Sequence, residues 1–340
     1  MHIQHARRFS RRRFLGGLTL AGMAGLLGVR PRPVAAEPPP ETTRLRLGWA
    51  PGDFCSAPYY LAEEFLSGEG FTEVQWVDIR ASSFLKATAA GEIDFGSNFI
   101  GPTLTRLDAG DPLVLVSGTH LGCFELFARE QVRAIRDLKG KTMAVRAQGN
   151  TEHTFIASIL AYIGLDPRKD VHWVERPRDA STQLFAEGKI DAIAAQPPQS
   201  QELRARQLGH VLLNSTVDRP WSQYYCCMLY THKAFAQQYP VATKRVVRAI
   251  LKAADLCTSE PQHAARFLVD KGYTESYDYA RETMQDVVYS QWREYNPEDT
   301  VRFYALRLQE AGMITSTPQK IIAQGTDWRF FNALKKELKG

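Results

Sequence analysis

The sequence predicts an α/β protein in which two α/β lobes face each other across a ligand cleft, with a helical C-terminal extension. Three observations carry that prediction. Short apolar runs alternate with helical stretches from about residue 43 to 222, the rhythm of βαβ units with parallel sheets. The phrase AAGEIDFGSN (89–98) returns 97 positions later as AEGKIDAIAA (186–195), so one helix-to-strand junction is written twice. The chain beyond the N-terminal segment, about 300 residues, exceeds what a single core comfortably holds.

Residues 1–36 read as an address rather than as fold. They contain Arg7, Arg8, Arg11, Arg12, Arg13, Arg30 and Arg32 and no acidic residue. The apolar run from Phe14 to Val29 is 16 residues long and carries five glycines, whereas a spanning helix needs roughly 20 apolar residues. Ser10 to Leu15 fits the twin-arginine pattern S-R-R-x-F-L, and Val34-Ala35-Ala36 offers small residues for cleavage. Export to the bacterial periplasm is the expectation. The full chain has 42 basic and 37 acidic residues; without the seven signal arginines the balance is 35 to 37, a net of −2. The basic character therefore belongs to the address, and no nucleic-acid partner is implied. Residues 37–42, with three consecutive prolines, read as an extended tether.

The elements follow in order. RLRLGWA (44–50) is a strand, and SAPYYLAEEFL (56–66) a helix that Ser56 can cap, with Pro58 in its first turn. VQWVDI (74–79), IDFGSN (93–98) and LVLVSGT (113–119) are strands separated by the helical SFLKATAAGE and GPTLTRLDAG. In both copies of the repeated phrase a glycine, Gly91 or Gly188, supplies the positive φ that stops the helix before a buried strand. A second round begins with DLKGKTMAV, a Gly-containing loop and a helix. VHWVE, ASTQLFAEGK, IDAIAAQ, QSQELRARQLG and VLLNS then repeat the alternation. YCCMLYTHK is one more strand, after which the chain is almost entirely helical. The expected assembly is one lobe from 43–128 plus 223–340 and another from 129–222, joined by two crossings that form a hinge.

Five segments, LRLGWAPGDFCSAPYYLAEE, AAGEIDFGSN, DLKGKTMAV, LFAEGKIDAI and the strand ahead of YPVATKRVVRAILKA, occur in that order behind an export signal. Together they resemble the solute-binding proteins of ABC importers for nitrate, sulfonate, taurine and related solutes, which share their fold with the thiamine-pyrimidine synthase family. The resemblance covers residues 43–340. It implies a type II periplasmic-binding fold and a periplasmic monomer without a cofactor. Such a protein captures a small-molecule solute and delivers it to ABC permease and ATPase subunits. The synthase family instead carries a lysine that forms a Schiff base with pyridoxal phosphate, and a histidine four residues on. Aligning on the repeated phrase puts Asn98 and Pro102 at those positions, and an amide cannot form the imine. The family's Cys-rich, iron-associated motif falls at QYYCCM, which holds two cysteines. An enzyme is therefore disfavoured, and no catalytic residue is nominated.

In open α/β lobes ligands meet the loops at the carboxyl ends of strands. Those loops nominate Trp49, Phe54, Ser56, Tyr59, Ser97, Asn98, His120, Asn150, Thr151, Gln196, Trp221 and Gln223. Aromatic walls with a few polar groups suit a planar or partly apolar solute. The nominated loops hold no Arg or Lys, so an anion would rest on helix N-termini at Ser56 and Thr151. Glu125 and Glu152 could meet a cationic part of a solute or serve as helix caps. Cys55, Cys123, Cys226, Cys227 and Cys257 show no C-x-x-C spacing. Cys226 and Cys227 are adjacent in a strand and expected on opposite faces. With no third Cys or His at ligand spacing beside them, no metal site is nominated.

Overall fold

Ten strands and fourteen helices follow one another from Arg44 to Glu337 in a computed structural model that describes residues 37–52 and 54–338, the side chain of Phe54 excepted. The export signal expected over residues 1–36 lies outside the described part. The chain opens with β1 (Arg44–Trp49), α1 (Ala57–Leu61), α2 (Glu63–Leu66), β2 (Glu73–Asp78), α3 (Phe84–Ala89), β3 (Phe95–Phe99), α4 (Ile100–Asp108), β4 (Leu113–Leu121) and β5 (Glu125–Ala128). It continues with β6 (Thr142–Val145), α5 (Thr151–Tyr162), β7 (His172–Glu175), α6 (Arg178–Ala186), β8 (Ala192–Ala195), α7 (Gln199–Ala205), β9 (His210–Asn214) and β10 (Tyr225–His232). The rest is helical: α8 (Lys233–Gln238), α9 (Pro240–Ser259), α10 (Pro261–Asp270), α11 (Tyr277–Asp286), α12 (Pro297–Glu310), α13 (Pro318–Gly325) and α14 (Arg329–Glu337).

The strands form two five-stranded sheets with one wiring, β2-β1-β3-β10-β4 and β7-β6-β8-β5-β9. Three strands of each sheet run parallel, joined by helical crossovers, as the sequence rhythm requires. The sheets are mixed rather than wholly parallel. β10 is antiparallel to β3 and β4, and β5 to β8 and β9. Each of these two strands enters from the other sheet, with no crossover helix to reverse it. β5 therefore belongs to the second sheet although it precedes residue 128, and the change of sheet falls at 122–124 on the way out and at 215–224 on the way back.

The helix expected over 56–66 is two short pieces on either side of Ala62, and Ser56 makes no side-chain cap bond because it closes a 3-10 turn. The two changes of sheet touch. Gly122 has φ +42°, and a Cβ there would sit 2.4 Å from the Thr216 Cα, so only glycine lets the segments cross. Ser215 Oγ accepts from the backbone N–H of Cys123 at 3.1 Å and of Phe124 at 2.8 Å, stitching one crossing to the other.

The repeated phrase has a shared structural role. Gly91 and Gly188 end α3 and α6 at φ +71° and +77°. The aspartate three residues on then locks onto the neighbouring parallel strand in both directions. Asp94 N donates to Arg46 O at 2.8 Å while its carboxylate accepts from Arg46 N at 2.7 Å. Asp191 does the same to Thr142 O and N, at 2.8 and 2.9 Å.

The first sheet is buried even at its β4 edge, where all nine residues are buried, and along β10 beside it from Tyr225 to Thr231. Its core continues into the second sheet through Phe99, Phe124, Phe155 and Tyr304. The Phe124 and Phe155 rings stack at 4.5 Å, and Phe99 meets Phe124 at 5.2 Å and Tyr304 at 5.3 Å. The C-terminal helices touch both sheets' layers: α9 covers α1 and α2, α12 lies on α5 and α4, and α11 meets α7. Arg204 on α7 reaches Glu125 on β5 and Asp286 on α11, where Gln201 also donates to Asp286 at 3.2 Å. Burial pushes the Glu125 carboxyl up to about 7; Arg204 pulls it back, while Asp286 and Glu282 add to the push. The folded protein thus holds a proton that the unfolded chain releases near 4.5. Stability should fall as pH rises from about 4.5 to 7 and level off above that. Urea unfolding at pH 5 and pH 8 should show the difference, and Glu125→Gln should remove most of it.

Candidate functional site

A cleft of about 790 Å³ opens between loops of the two sheets. One wall is made by residues 50–52, 79–86 and 98–106, which follow β1, β2 and β3; the other by 146–151, 178 and 196, which follow β6, β7 and β8. This is where open α/β sheets receive ligands, because the strand ends stop and the backbone turns outward.

The walls carry Arg80, Lys86, Arg106, Arg146 and Arg178 and, among the described residues, no acidic side chain. Three of the carboxylates that pair with them stand behind the walls. Arg80 meets Asp78 at 2.6 Å and lies over the Trp49 ring at 5.2 Å, and Arg106 meets Asp111 at 2.5 Å. The Arg80 guanidinium holds the Asp78 carboxyl below the usual range. Glu152 serves two arginines, Arg146 at 2.9 Å and Arg178 at 3.7 Å. Lys86 is exposed and enters no ion pair among the described residues.

Two buried donors at the cleft have no acceptor. Asn150 caps α5 through Oδ1, which accepts from His153 N at 2.9 Å, and this turns its Nδ2 away from the helix without a partner. Arg178 donates from Nη1 to Gly52 O on the opposite wall at 3.4 Å, while its Nε is buried and unbonded. A buried donor without an acceptor is costly, and an acceptor brought to it on closure would satisfy it. His153 behind them accepts from Gly149 N at 3.0 Å on Nδ1, and burial pushes its imidazole pKa down, which keeps the ring neutral.

Of the nominated residues, Asn98, Asn150, Thr151 and Gln196 line this cleft. Asn98 Oδ1 accepts from its neighbour Phe99 N at 2.7 Å. Ser56 and Ser97 are buried with unbonded hydroxyls and are not among the lining residues. The aromatic wall anticipated from sequence does not assemble. Trp49 faces a separate hollow beside Trp76 and Tyr273. Tyr59 is 1% exposed, donates to Phe95 O at 2.8 Å and accepts from Gly48 N at 2.9 Å, so it is a brace between β1 and β3. Trp221 is buried against Tyr162, and Gln223 is exposed on the turn after it. His120 is buried among cysteines, and the Phe54 side chain lies outside the described atoms. Tyr59→Phe should cost about 1–3 kcal/mol of unfolding free energy in a urea titration and leave ligand affinity unchanged; an affinity loss would return the ring to the site.

The five cations were not legible in the nominated loops. Arg146 and Arg178 sit two residues before one such loop and at the start of α6. Arg80 comes from the β2–α3 connection, Lys86 from α3 and Arg106 from α4, all outside those loops. Glu125 and Glu152 do not line the cleft and cap no helix; they pair with Arg204 and with Arg146.

Compared with known proteins, the chain matches the model of the NMT1-like family over residues 38–269. Over 184 residues it is 28% identical to a protein of Escherichia coli (strain K12) described as a putative aliphatic sulfonates-binding protein, covering 52% of this chain and 56% of that one. The chain thus matches about half the length of that curated relative. Among solved structures it resembles the alkanesulfonate-binding protein SsuA from Xanthomonas axonopodis pv. citri bound to MOPS, with a TM-score of 0.64 at 19% identity over 86% of this chain and 100% of that one. It also resembles the periplasmic nitrate-binding protein NrtA from Synechocystis PCC 6803, with a TM-score of 0.67 at 14% identity over 89% and 90%. The fold is that of periplasmic binding proteins, two α/β sheets with helices, as the sequence resemblance implies.

Proposed function

The chain belongs to the NMT1-like family, and from that premise we propose that it is a solute-binding protein of an ABC importer whose solute carries a compact oxyanion, of the sulfonate class. The observation that carries the proposal is the pair of unsatisfied buried donors, Asn150 Nδ2 and Arg178 Nε, on residues lining a cleft whose described walls hold five cations and no acid. Sulfonate oxygens accept several hydrogen bonds at once, and guanidinium is matched to such groups. The sulfonate-binding description of the curated relative supports the same class. The β1–β4 and β10 lobe with the C-terminal helices, and the β5–β9 lobe, would close on the solute about the stitched crossings at 122–124 and 215–224, the closed state being the one with higher affinity. The closed protein would then dock on permease and ATPase subunits as a monomer, in the periplasm, after export through the twin-arginine-type address. No helix among the described residues is long and apolar enough to cross a membrane.

The test is thermal unfolding with a panel of short alkanesulfonates, taurine, nitrate and matched carboxylates. A ligand at about 100 times its Kd adds about 2.7 kcal/mol, so at least one sulfonate should raise the melting temperature by several degrees. A panel without any stabilising anion overturns the proposal. The pyridoxal-dependent alternative gains one feature, since Lys86 stands in the cleft, but no histidine accompanies it among the lining residues.

A further inference from the structure

We infer that Cys55, His120, Cys123 and Cys227 form a buried zinc site, separate from the cleft. One ligating atom from each lies within 4.8 Å of all the others. Tetrahedral zinc with bonds of about 2.3 Å to sulfur and about 2.0–2.1 Å to nitrogen sets ligand separations of roughly 3.5–3.8 Å. The four atoms are thus within about an ångström of a closed coordination shell. None of the four residues lines the cleft, and their exposures are 1%, 1%, 5% and 3% in sequence order.

The imidazole is set for the task. His120 Nδ1 lies 3.3 Å from Leu121 O, so it donates there, and the buried Nε2 is left to face the sulfurs of Cys227 and Cys55. A backbone carbonyl on the distal nitrogen is the usual second contact of a zinc-bound histidine. The backbone around two of the thiols is also fixed: Cys123 N donates to Ser215 Oγ at 3.1 Å, and Thr119 Oγ1 donates to Cys227 O at 2.8 Å.

Chain folding brings these donors together from the turn before α1, the end of β4, the first crossing and β10, which is why no local spacing announced them. The register of β10 against β4 skips Cys226, a bulge that spoils the strict alternation expected there. Both Cys226 and Cys227 turn toward Cys123, with Cys226 Sγ 2.9 Å from Cys123 Sγ. Three thiolates and one imidazole, all buried and with no carboxylate, match a structural zinc centre and not a magnesium or calcium site. Binding Zn²⁺ would release three thiol protons to solvent with histidine neutral, leaving a site of net charge −1. The ion would tie the turn after β1, the first crossing and β10 into one unit beneath the hinge.

The full mature protein, purified without chelator and kept reduced, should bind one equivalent of zinc. Cobalt(II) in its place should give thiolate-to-metal charge-transfer absorption in the near ultraviolet. Cys227→Ser and His120→Ala should weaken zinc binding at least tenfold, while Cys257→Ser, a buried cysteine on α9, should retain one equivalent. Wild-type protein that takes up no zinc or cobalt with all thiols reduced overturns the assignment. So does a Cys123–Cys226 disulfide found in the purified native protein by peptide mass spectrometry, since that bond would consume a ligand. The wild-type titration decides the matter even if a variant fails to fold.

Discussion

Replacing Arg178 by alanine should weaken binding of a short alkanesulfonate by about thirty- to a thousandfold, equivalent to about 2–4 kcal/mol, the range for truncating a buried charge partner. Arg178 is singled out by its position. Its side chain is 22% exposed against 46% for Arg146 and 62% for Arg80. It reaches the opposite wall at Gly52, and its nearest carboxylate, Glu152, is held more closely by Arg146. Arg178→Lys should recover little, because a point ammonium cannot present the guanidinium's parallel donors. Arg80→Ala should cost less than tenfold, since that charge is exposed and already tied to Asp78. The check is calorimetric titration of each variant with the sulfonate that stabilises the parent protein most. Unchanged affinity in Arg178→Ala would move the solute to another part of the cleft.

The second large effect is on stability. Asp94→Asn should lower the unfolding free energy by about 2–4 kcal/mol, because a buried carboxylate loses its charge while its partners stay in place. Asp94 is 6% exposed and accepts from Arg46 N at 2.7 Å and from Arg46 Nη2 at 2.6 Å. Asp191→Asn removes the matching lock in the second sheet, where the residue is half-buried and its side-chain partner is Gln131 at 3.1 Å. Its cost should be smaller, about 1 kcal/mol. Urea unfolding of both variants checks the ranking. Equal and negligible losses would mean that the repeated phrase is only a helix stop.

That phrase also marks the limit of what the sequence discloses. Its glycines were readable because positive φ is a local property, and the strand after each was readable from its apolar run. The aspartate's bond to Arg46 or Thr142 joins residues 48 or 49 positions apart, and no local pattern records it. The parallel strands and most helices were legible for the same reason as the glycines. β5 was not, since a buried Glu125 at the head of a four-residue strand looks like a loop residue until Arg204, 79 positions away, is seen to pair with it. In the cleft the polar residues at strand ends, Asn98, Asn150, Thr151 and Gln196, followed from topology alone. The aromatic residues did not, because Tyr59 and Trp221 are as apolar as they are polar and the core claims them.

The most direct measurement is a crystal structure grown with 2-bromoethanesulfonate, whose bromine locates the molecule by anomalous scattering. The account predicts one molecule per chain between the two sheets, its sulfonate oxygens within hydrogen-bonding distance of Arg178 and Asn150. Anomalous density outside the cleft, or a sulfonate turned away from both residues under saturating ligand, would contradict it.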